Sequence, residues 1–330
     1  MILTDLYLFC HYMGMKKTYL FLSILMAFSQ QISAAAPVTT PTRNNLRFID
    51  ASFENASPVW YETDDDGVIR IHLLYDNERA TINRAAGHLH ICIHAVPSTS
   101  LTLEFCNLDN IWNGHHGSVA REMRSLAISE DGQNWRGIKT TLIPTNRVQV
   151  TLDMPGPQLY IARIEPYRIS DLERFLKNLR KHPLATVETI GKTRQGRALE
   201  LISLGAADAP YSIFLRARAH PWESGGNWVM QGLTHRLLAG DAAASRVLAR
   251  CRIHILPMAN LDGVARGGTR FNPAGMDLNR NWNLPADPEL APENAALERW
   301  LAMRISAGKT PLLAIDLHND GQGKLHVSRP

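Results

Sequence analysis

The apolar residues of this chain change their period between residues 162 and 170, and that change limits the folds open to it. Ahead of it, residues 46–160 carry short runs in which apolar and polar residues alternate, at 67–74, 101–105, 125–128 and 148–152. A period of two puts every second side chain on one face, as a strand with one buried side requires. Asp131-Gly132 stands between two of these runs as a hairpin signal. Several short strands at this spacing predict an antiparallel β-sandwich. Beyond the change, Leu172, Phe175, Leu176 and Leu179 recur at three to four residues and predict a helix from about Ser170. Strands and helices then alternate, which predicts an α/β region built on a mixed, mostly parallel sheet. Neither part shows an internal repeat or a low-complexity segment.

Residues 211–218 read as a short strand through Ile213 and Leu215. A helical pattern follows from about 223 to 239, with Trp228, Val229, Leu233, Leu237 and Leu238 at helical spacing. His220 and Glu223 therefore fall on a strand-to-helix turn, where both side chains converge on one ion. His318 closes a second apolar run, 312–317, that reads as a buried strand. Two neutral imidazoles and a carboxylate suit a catalytic zinc with one coordination position left open. Such ligands at the carboxyl ends of strands stand where α/β sheets place their sites. Between them, Asp277-Leu278-Asn279-Arg280-Asn281-Trp282 offers an amide and a guanidinium able to hold a carboxylate-bearing substrate. His-x-x-Glu alone is a weak signal in a chain with 13 His; the order and the local context give it weight. The chemistry they name is metal-assisted hydrolysis.

His220-Pro-Trp-Glu223, Asn260-Leu-Asp-Gly263, Arg270, Gly275-Met-Asp-Leu-Asn-Arg-Asn-Trp282, Pro292-Glu293 and Asp316-Leu-His318 follow one another in this order. The combination resembles the zinc carboxypeptidases of the carboxypeptidase A type. Leu159-Tyr-Ile-Ala-Arg-Ile-Glu-Pro-Tyr167 and Gly191-Lys-Thr-Arg-Gln-Gly-Arg197 are similar to the cytosolic-carboxypeptidase-like subgroup, which carries a β-rich domain ahead of the peptidase domain. The resemblance implies one Zn²⁺ per chain on His220, Glu223 and His318, with Asp277 orienting the first of these histidines. It implies that Asn279 and Arg280 dock a peptide's free C-terminal carboxylate and that Arg270 stabilises the oxyanion. Each role is chemically sound. Zn²⁺ lowers the pKa of a bound water to about 7. A positive group aimed at developing charge is worth about 10²–10³ in rate, and a guanidinium forks onto both oxygens of a carboxylate. A structural ion pair of Asp277 and Arg280 is the plainer alternative.

The resemblance has one departure. In the family, the general-base glutamate and the tyrosine that closes over the substrate follow the third ligand at a distance. Here only Asn319 to Pro330 follow His318, and no glutamate follows Glu298. The expectation is a catalytic domain incomplete at its C-terminus and a chain poorly active as it stands. Two other functions stay open: an N-acyl amino acid amidohydrolase of related fold, and a non-catalytic, zinc-dependent peptide binder.

A length of 330 residues suits about two domains, and 45% hydrophobic residues allow a sizeable core. A net charge of +4, with no basic run interleaved with aromatics, gives no ground to expect a nucleic-acid partner. Met15-Lys16-Lys17, the apolar stretch 19–28 and Ser33-Ala34-Ala35-Ala36 predict a secretory signal peptide with Met15 as the start. The stretch is too short to span a membrane, so the mature chain is expected in a periplasm or the medium. The predicted division is a signal at 1–36, a Pro/Thr-rich linker at 37–45, the β-sandwich at 46–162 and the catalytic domain at 163–330.

Cys10 leaves with the signal, so Cys92, Cys106 and Cys251 remain. Cys92 and Cys106 either pair across neighbouring strands or stand as separate buried thiols. His88, His90, Cys92 and His94 alternate along one strand face, with Leu89, Ile91 and Ile93 on the other. That row is a metal site, with His115 and His116 able to add to it, or more commonly the solvated face of an antiparallel strand.

Overall fold

A computed structural model of the chain describes residues 45–76, 84–112 and 114–319. The predicted signal peptide, Cys10, all of the linker but Asn45, and the stretch after Asn319 lie outside the described residues.

The alternating part forms β1 (Leu46–Asp50), β2 (Val59–Thr63), β3 (Ile69–Leu73), β4 (His90–Ala95), β5 (Ser100–Cys106), β6 (Asp109–Trp112), β7 (His115–Ser118), β8 (Ser125–Ser129), β9 (Arg136–Lys139), β10 (Thr141–Ile143), β11 (Arg147–Asp153) and β12 (Gln158–Ala162). β6 and β7 pair by themselves. Ten others make two five-stranded sheets, ordered β1-β4-β12-β8-β9 and β10-β11-β5-β3-β2. Every pairing in them is antiparallel except β3 with β5. Asp131-Gly132 lies in the turn of the β8–β9 hairpin.

Register explains the core between the sheets. Ile161 stands opposite both Ile91 and Ile128, while Leu103 stands opposite Val150 and Ile69. The alternating residues Ile69, Ile71 and Leu73, Leu101, Leu103 and Phe105, and Val148, Val150 and Leu152 are all buried in one apolar cluster with Leu89, Ile91 and Ile93. A slip of one residue would turn each set outward, so the alternation itself fixes the pairing.

The second part contains α1 (Ile169–Leu179), β13 (Ala185–Lys192), β14 (Ala198–Leu204), β15 (Tyr211–Ala217), α2 (Gly225–Leu237), α3 (Ala242–Arg250), β16 (Cys251–Leu256), α4 (Leu261–Ala265), α5 (Pro292–Ser306) and β17 (Leu313–Leu317). The predicted face of α1, Leu172, Phe175, Leu176 and Leu179, is buried in a second core with Leu199, Leu201, Phe214, Ile253 and Trp300. Asp241 caps α3 by accepting from Ala243 and Ala244. The sheet order is β13-β14-β16-β15-β17. β15 runs parallel to β16 and β17, whereas β14 runs antiparallel to β13 and β16. The described sheet is therefore mixed, with parallel and antiparallel pairings in equal number rather than mostly parallel.

Two expectations need correction, and one open alternative is decided. The 312–317 run is a strand but not a buried one, since Leu312 is 75% and Leu313 49% exposed and no strand is described on its far side. Of the two readings of Cys92 and Cys106, the structure shows separate buried thiols, free and on different sheets; burial raises both to about 11. The His88–His94 row is not a solvated face either. His88, His90 and Cys92 are buried, His90 packs edge-on to Phe53 and Trp135, and His94 stacks on Phe48. The row also fails as a metal site, because it contributes no group of three closely spaced ligand atoms among the described residues. His115 and His116 lie exposed on β7.

Buried His254 on β16 gives the fold an acid limit. Its Nδ1 lies 2.7 Å from the Ser203 hydroxyl, and its Nε2 finds no partner among the described residues. Burial, aided by the Arg304 and Arg252 charges, pushes it from 6.5 down to about 4. As pH falls, the unfolded chain takes up this proton first, so stability is full above about 6.5 and declines toward pH 4. At about 1.4 kcal/mol per pH unit the loss reaches about 3 kcal/mol. Urea unfolding at pH 7 and 4.5 should show a smaller pH effect for His254→Gln than for the parent. Equal effects would refute the assignment.

Candidate metal centre

The parallel strand β15 delivers the chain to a turn at residues 218–224, ahead of α2. Arg218 opens that turn in the left-handed region, at φ 61°, which costs a residue with a side chain of order 1 kcal/mol or more. Its surroundings hold it there. The side chain is fully buried, donating from Nε to the Pro221 carbonyl at 2.6 Å and from Nη1 to Asn227 Oδ1 at 2.8 Å. Asn227 in turn donates to the Pro257 carbonyl. Trp222, within the same turn, is buried in the sandwich core beneath the Arg163 guanidinium. The turn is thus clamped from both sides, which fixes the side chains of His220 and Glu223.

His220, Glu223 and His318 offer ligand atoms that all lie within 4.8 Å of one another. His220 Nδ1 is 2.9 Å from Glu223 Oε1, and His318 Nδ1 is 2.7 Å from Glu223 Oε2. The far nitrogen of each ring meets another carboxylate. His220 Nε2 is 3.2 Å from Asp277 Oδ1, and His318 Nε2 is 2.9 Å from Asp316 Oδ2. A carboxylate on Nε2 holds the proton there and leaves the Nδ1 lone pair for a cation. Two such nitrogens and an ionised glutamate are a donor set that fits Zn²⁺. Burial pushes Glu223 up, but the His220 and His318 rings beside it outweigh that and hold the group at about 2. Burial pulls His318 down, yet Asp316 and Glu223 raise it to about 9.

Asp277 links this centre to Arg270. Its Oδ2 accepts from Arg270 Nε at 2.8 Å while Oδ1 faces His220. Asn279 also joins the group: its amide nitrogen is 3.1 Å from His318 Nε2, and its Oδ1 accepts from Arg216. Arg280 lies on the same loop but is turned away, donating to the Asn279 carbonyl from an exposed position. An ion pair of Asp277 with Arg280 is absent from the salt bridges of the described residues; Asp277 pairs with Arg270 and His220 instead.

Of the seven residues singled out in the sequence, Asp277 and Asn279 contact the central three, Arg270 reaches them through Asp277, and Arg280 makes no contact to this group beyond the Asn279 carbonyl among these hydrogen bonds. The sequence reading named Asp316 only as part of a motif, without a role, and missed Arg216. Asp316 lies two residues before His318 in an extended segment, so the spacing was there to be read. Arg216, buried on β15, pairs with both oxygens of Asp316, donates to the Leu278 carbonyl and lies under Trp282. It joins the loop of Asn279 to the strand of His318.

Residues 172–323 match the family model described as zinc carboxypeptidase. An uncharacterised protein of Zymomonas mobilis is 30% identical over 202 residues, covering 58% of this chain and 49% of its own length. Human cytosolic carboxypeptidase 1 is 29% identical over 183 residues, covering 50% of this chain and 15% of that protein. The chain thus spans half or less of these curated relatives. The crystal structure of a metallo-carboxypeptidase from Burkholderia cenocepacia is similar with a TM-score of 0.71 and 25% identity, over 83% of this chain and 71% of that one. A metallo-carboxypeptidase from Pseudomonas aeruginosa, in complex with (2-guanidinoethylmercapto)succinic acid, shares the fold with a TM-score of 0.70 and 23% identity, over 83% of this chain and 70% of that one.

Proposed function

We propose, for a chain that carries a zinc carboxypeptidase domain, the zinc-dependent removal of C-terminal residues from peptides. The observation that supports it is the hydrogen-bonded chain of His318, Glu223, His220, Asp277 and Arg270. His220, Glu223 and His318 would hold the ion, which when bound acts as a Lewis acid on a carbonyl and acidifies a water. Asp277 fixes His220 and, through its other oxygen, the Arg270 guanidinium. Arg270 then presents its charge to the oxygen of the scissile carbonyl, where negative charge develops. Asn279 and Arg280 receive the terminal carboxylate, Arg280 by leaving the Asn279 carbonyl for the incoming anion. The amidohydrolase reading has no feature of its own in this geometry.

Free-acid and amidated peptides of one sequence test the docking role. The free acid is expected to be cleaved at least about tenfold faster, since an amide cannot accept the guanidinium as an ion. Arg280→Ala should chiefly raise KM, because the carboxylate is charged in ground and transition states alike. Equal cleavage of the two peptides would remove the carboxypeptidase reading. N-acyl amino acids cleaved in preference to both would install the amidohydrolase.

We also propose the division at 162/163 and export of the chain. Residues 15–36 support export, whereas relatives named cytosolic weigh against it. Fractionation of cells expressing the chain is expected to place it outside the cytoplasm, with loss of residues 1–36; uncleaved cytoplasmic protein would end that proposal.

A further inference from the structure

Asp76 follows β3, in the sandwich, 193 to 195 positions before the residues whose backbone it holds. Its Oδ1 accepts from Thr269 N at 2.6 Å, and its Oδ2 accepts from Arg270 N at 2.5 Å and Phe271 N at 2.9 Å. Three consecutive N–H groups turned toward one carboxylate form an anion-binding nest, here filled by the protein's own side chain. Asp76 is itself anchored, its N–H donating to the Ala85 carbonyl. Burial raises the carboxyl pKa, and the hydrogen bonds from Arg270, Thr269 and Phe271 offset that only in part. Other sandwich residues grip the same segment. His88 N donates to Thr269 Oγ1, Asn55 donates to the Val264 carbonyl, and the Ala56 carbonyl lies against Gly267.

Residues 266–291 hold no helix or strand of the second part, so ladder hydrogen bonds do not set where Arg270 points. The nest fixes its backbone, and Asp277 fixes its guanidinium. We propose that Asp76 is a positioning residue for Arg270, so that the β-sandwich supplies part of the catalytic machinery. The inference rests on the role given to Arg270 above. A shift of about 1 Å in a group facing the reacting centre costs about 10²-fold, and Arg270 acts on charge that develops only in the transition state.

The test uses the full zinc-loaded chain with Asp76→Asn, which keeps the shape but turns one acceptor into a donor. Amide hydrogen exchange at 268–272 is expected to speed by about tenfold or more, with 211–217 unchanged. Zinc per chain should stay at the parental value, while kcat falls about 10–100-fold with KM within about twofold. Coupling separates this role from general destabilisation: on top of Arg270→Ala, Asp76→Asn should cost less than about twofold more in kcat. Unchanged exchange at 268–272, or a full additional loss in the Arg270→Ala background, would overturn the proposal. If Asp76→Asn does not fold, Asp76→Glu serves, since its extra methylene displaces the nest. It is expected to loosen 268–272 and lower kcat together, and loosening with kcat kept would equally overturn the proposal. A parent chain that neither binds zinc nor hydrolyses peptides would sink the proposed function instead, and the exchange result would still decide whether Asp76 holds the loop.

Discussion

His220→Ala is expected to lose the bound zinc. The substitution removes one of three protein donors and leaves Asp277 without its imidazole partner. Loss of a partner outside the ligand set already costs about 10–100-fold in metal affinity, so loss of a ligand should cost at least about 100-fold. Metal analysis should find about one zinc in the parent and none in the variant after desalting. Because a ligand bound only to the native state stabilises it, chelation should lower the parent's melting temperature and leave that of His220→Ala unchanged. Glu223→Ala should do more. It strips the metal and also removes a negative charge that favours the buried Arg218 guanidinium, whose pKa burial presses down to about 9. Loss of that charge near a buried cation should make this variant unfold at lower urea than His220→Ala. Full zinc in the His220→Ala protein would place the metal elsewhere. Equal stability of the two variants would refute the coupling to Arg218.

Gly267→Ala is expected to be severely damaging. Gly267 has φ +64°, and a Cβ built there would stand 1.9 Å from the Ala56 carbonyl oxygen and 2.8 Å from its carbon. Backbone on both sides of the contact leaves no flexible side chain to yield. Strain in the left-handed region accounts for about 1 kcal/mol, and relief of the clash requires the loop to leave the sandwich. Together they predict a loss of about 4 kcal/mol or more. Gly196 isolates the steric part, since it has φ +82° but open space around its Cβ position. Gly196→Ala should cost only about 1 kcal/mol. Urea unfolding of both variants decides the matter. A Gly267→Ala protein as stable as Gly196→Ala would mean that residues 56 and 267 do not stay in contact in solution.

Local pattern carried much of this molecule. Alternation placed the strands of the sandwich because one buried face needs a period of two, and Leu172, Phe175, Leu176 and Leu179 placed α1 because a helix needs a period near 3.6. The strand-to-helix turn and the strand end placed His220, Glu223 and His318 in one site, and the resemblance added Asp277 and Arg270, which lie in a stretch without helix or strand. Where the reading failed, the missing information lay outside the segment concerned. His88, His90 and Cys92 do point away from the sandwich core, as their alternation required, but Phe53, Trp135 and other residues cover them. The 312–317 run has the composition of a buried strand, yet burial depends on what lies beside a strand, and composition is silent on that.

The sequence by itself determined the element types, the pairing of a β-sandwich with an α/β region, and the residues able to bind a metal. These follow from periodicity and donor chemistry, which are properties of short stretches. Only the tertiary structure decided which carboxylate serves which group. Asp316 stands behind His318, Arg216 ties Asn279 to it, and Asp76 holds the backbone of Arg270 from the far end of the chain. Such contacts join segments separated by up to about two hundred residues. A hydrogen bond needs its donor and acceptor within about 3 Å, and spacing along the chain does not fix that distance once the backbone has turned many times between them.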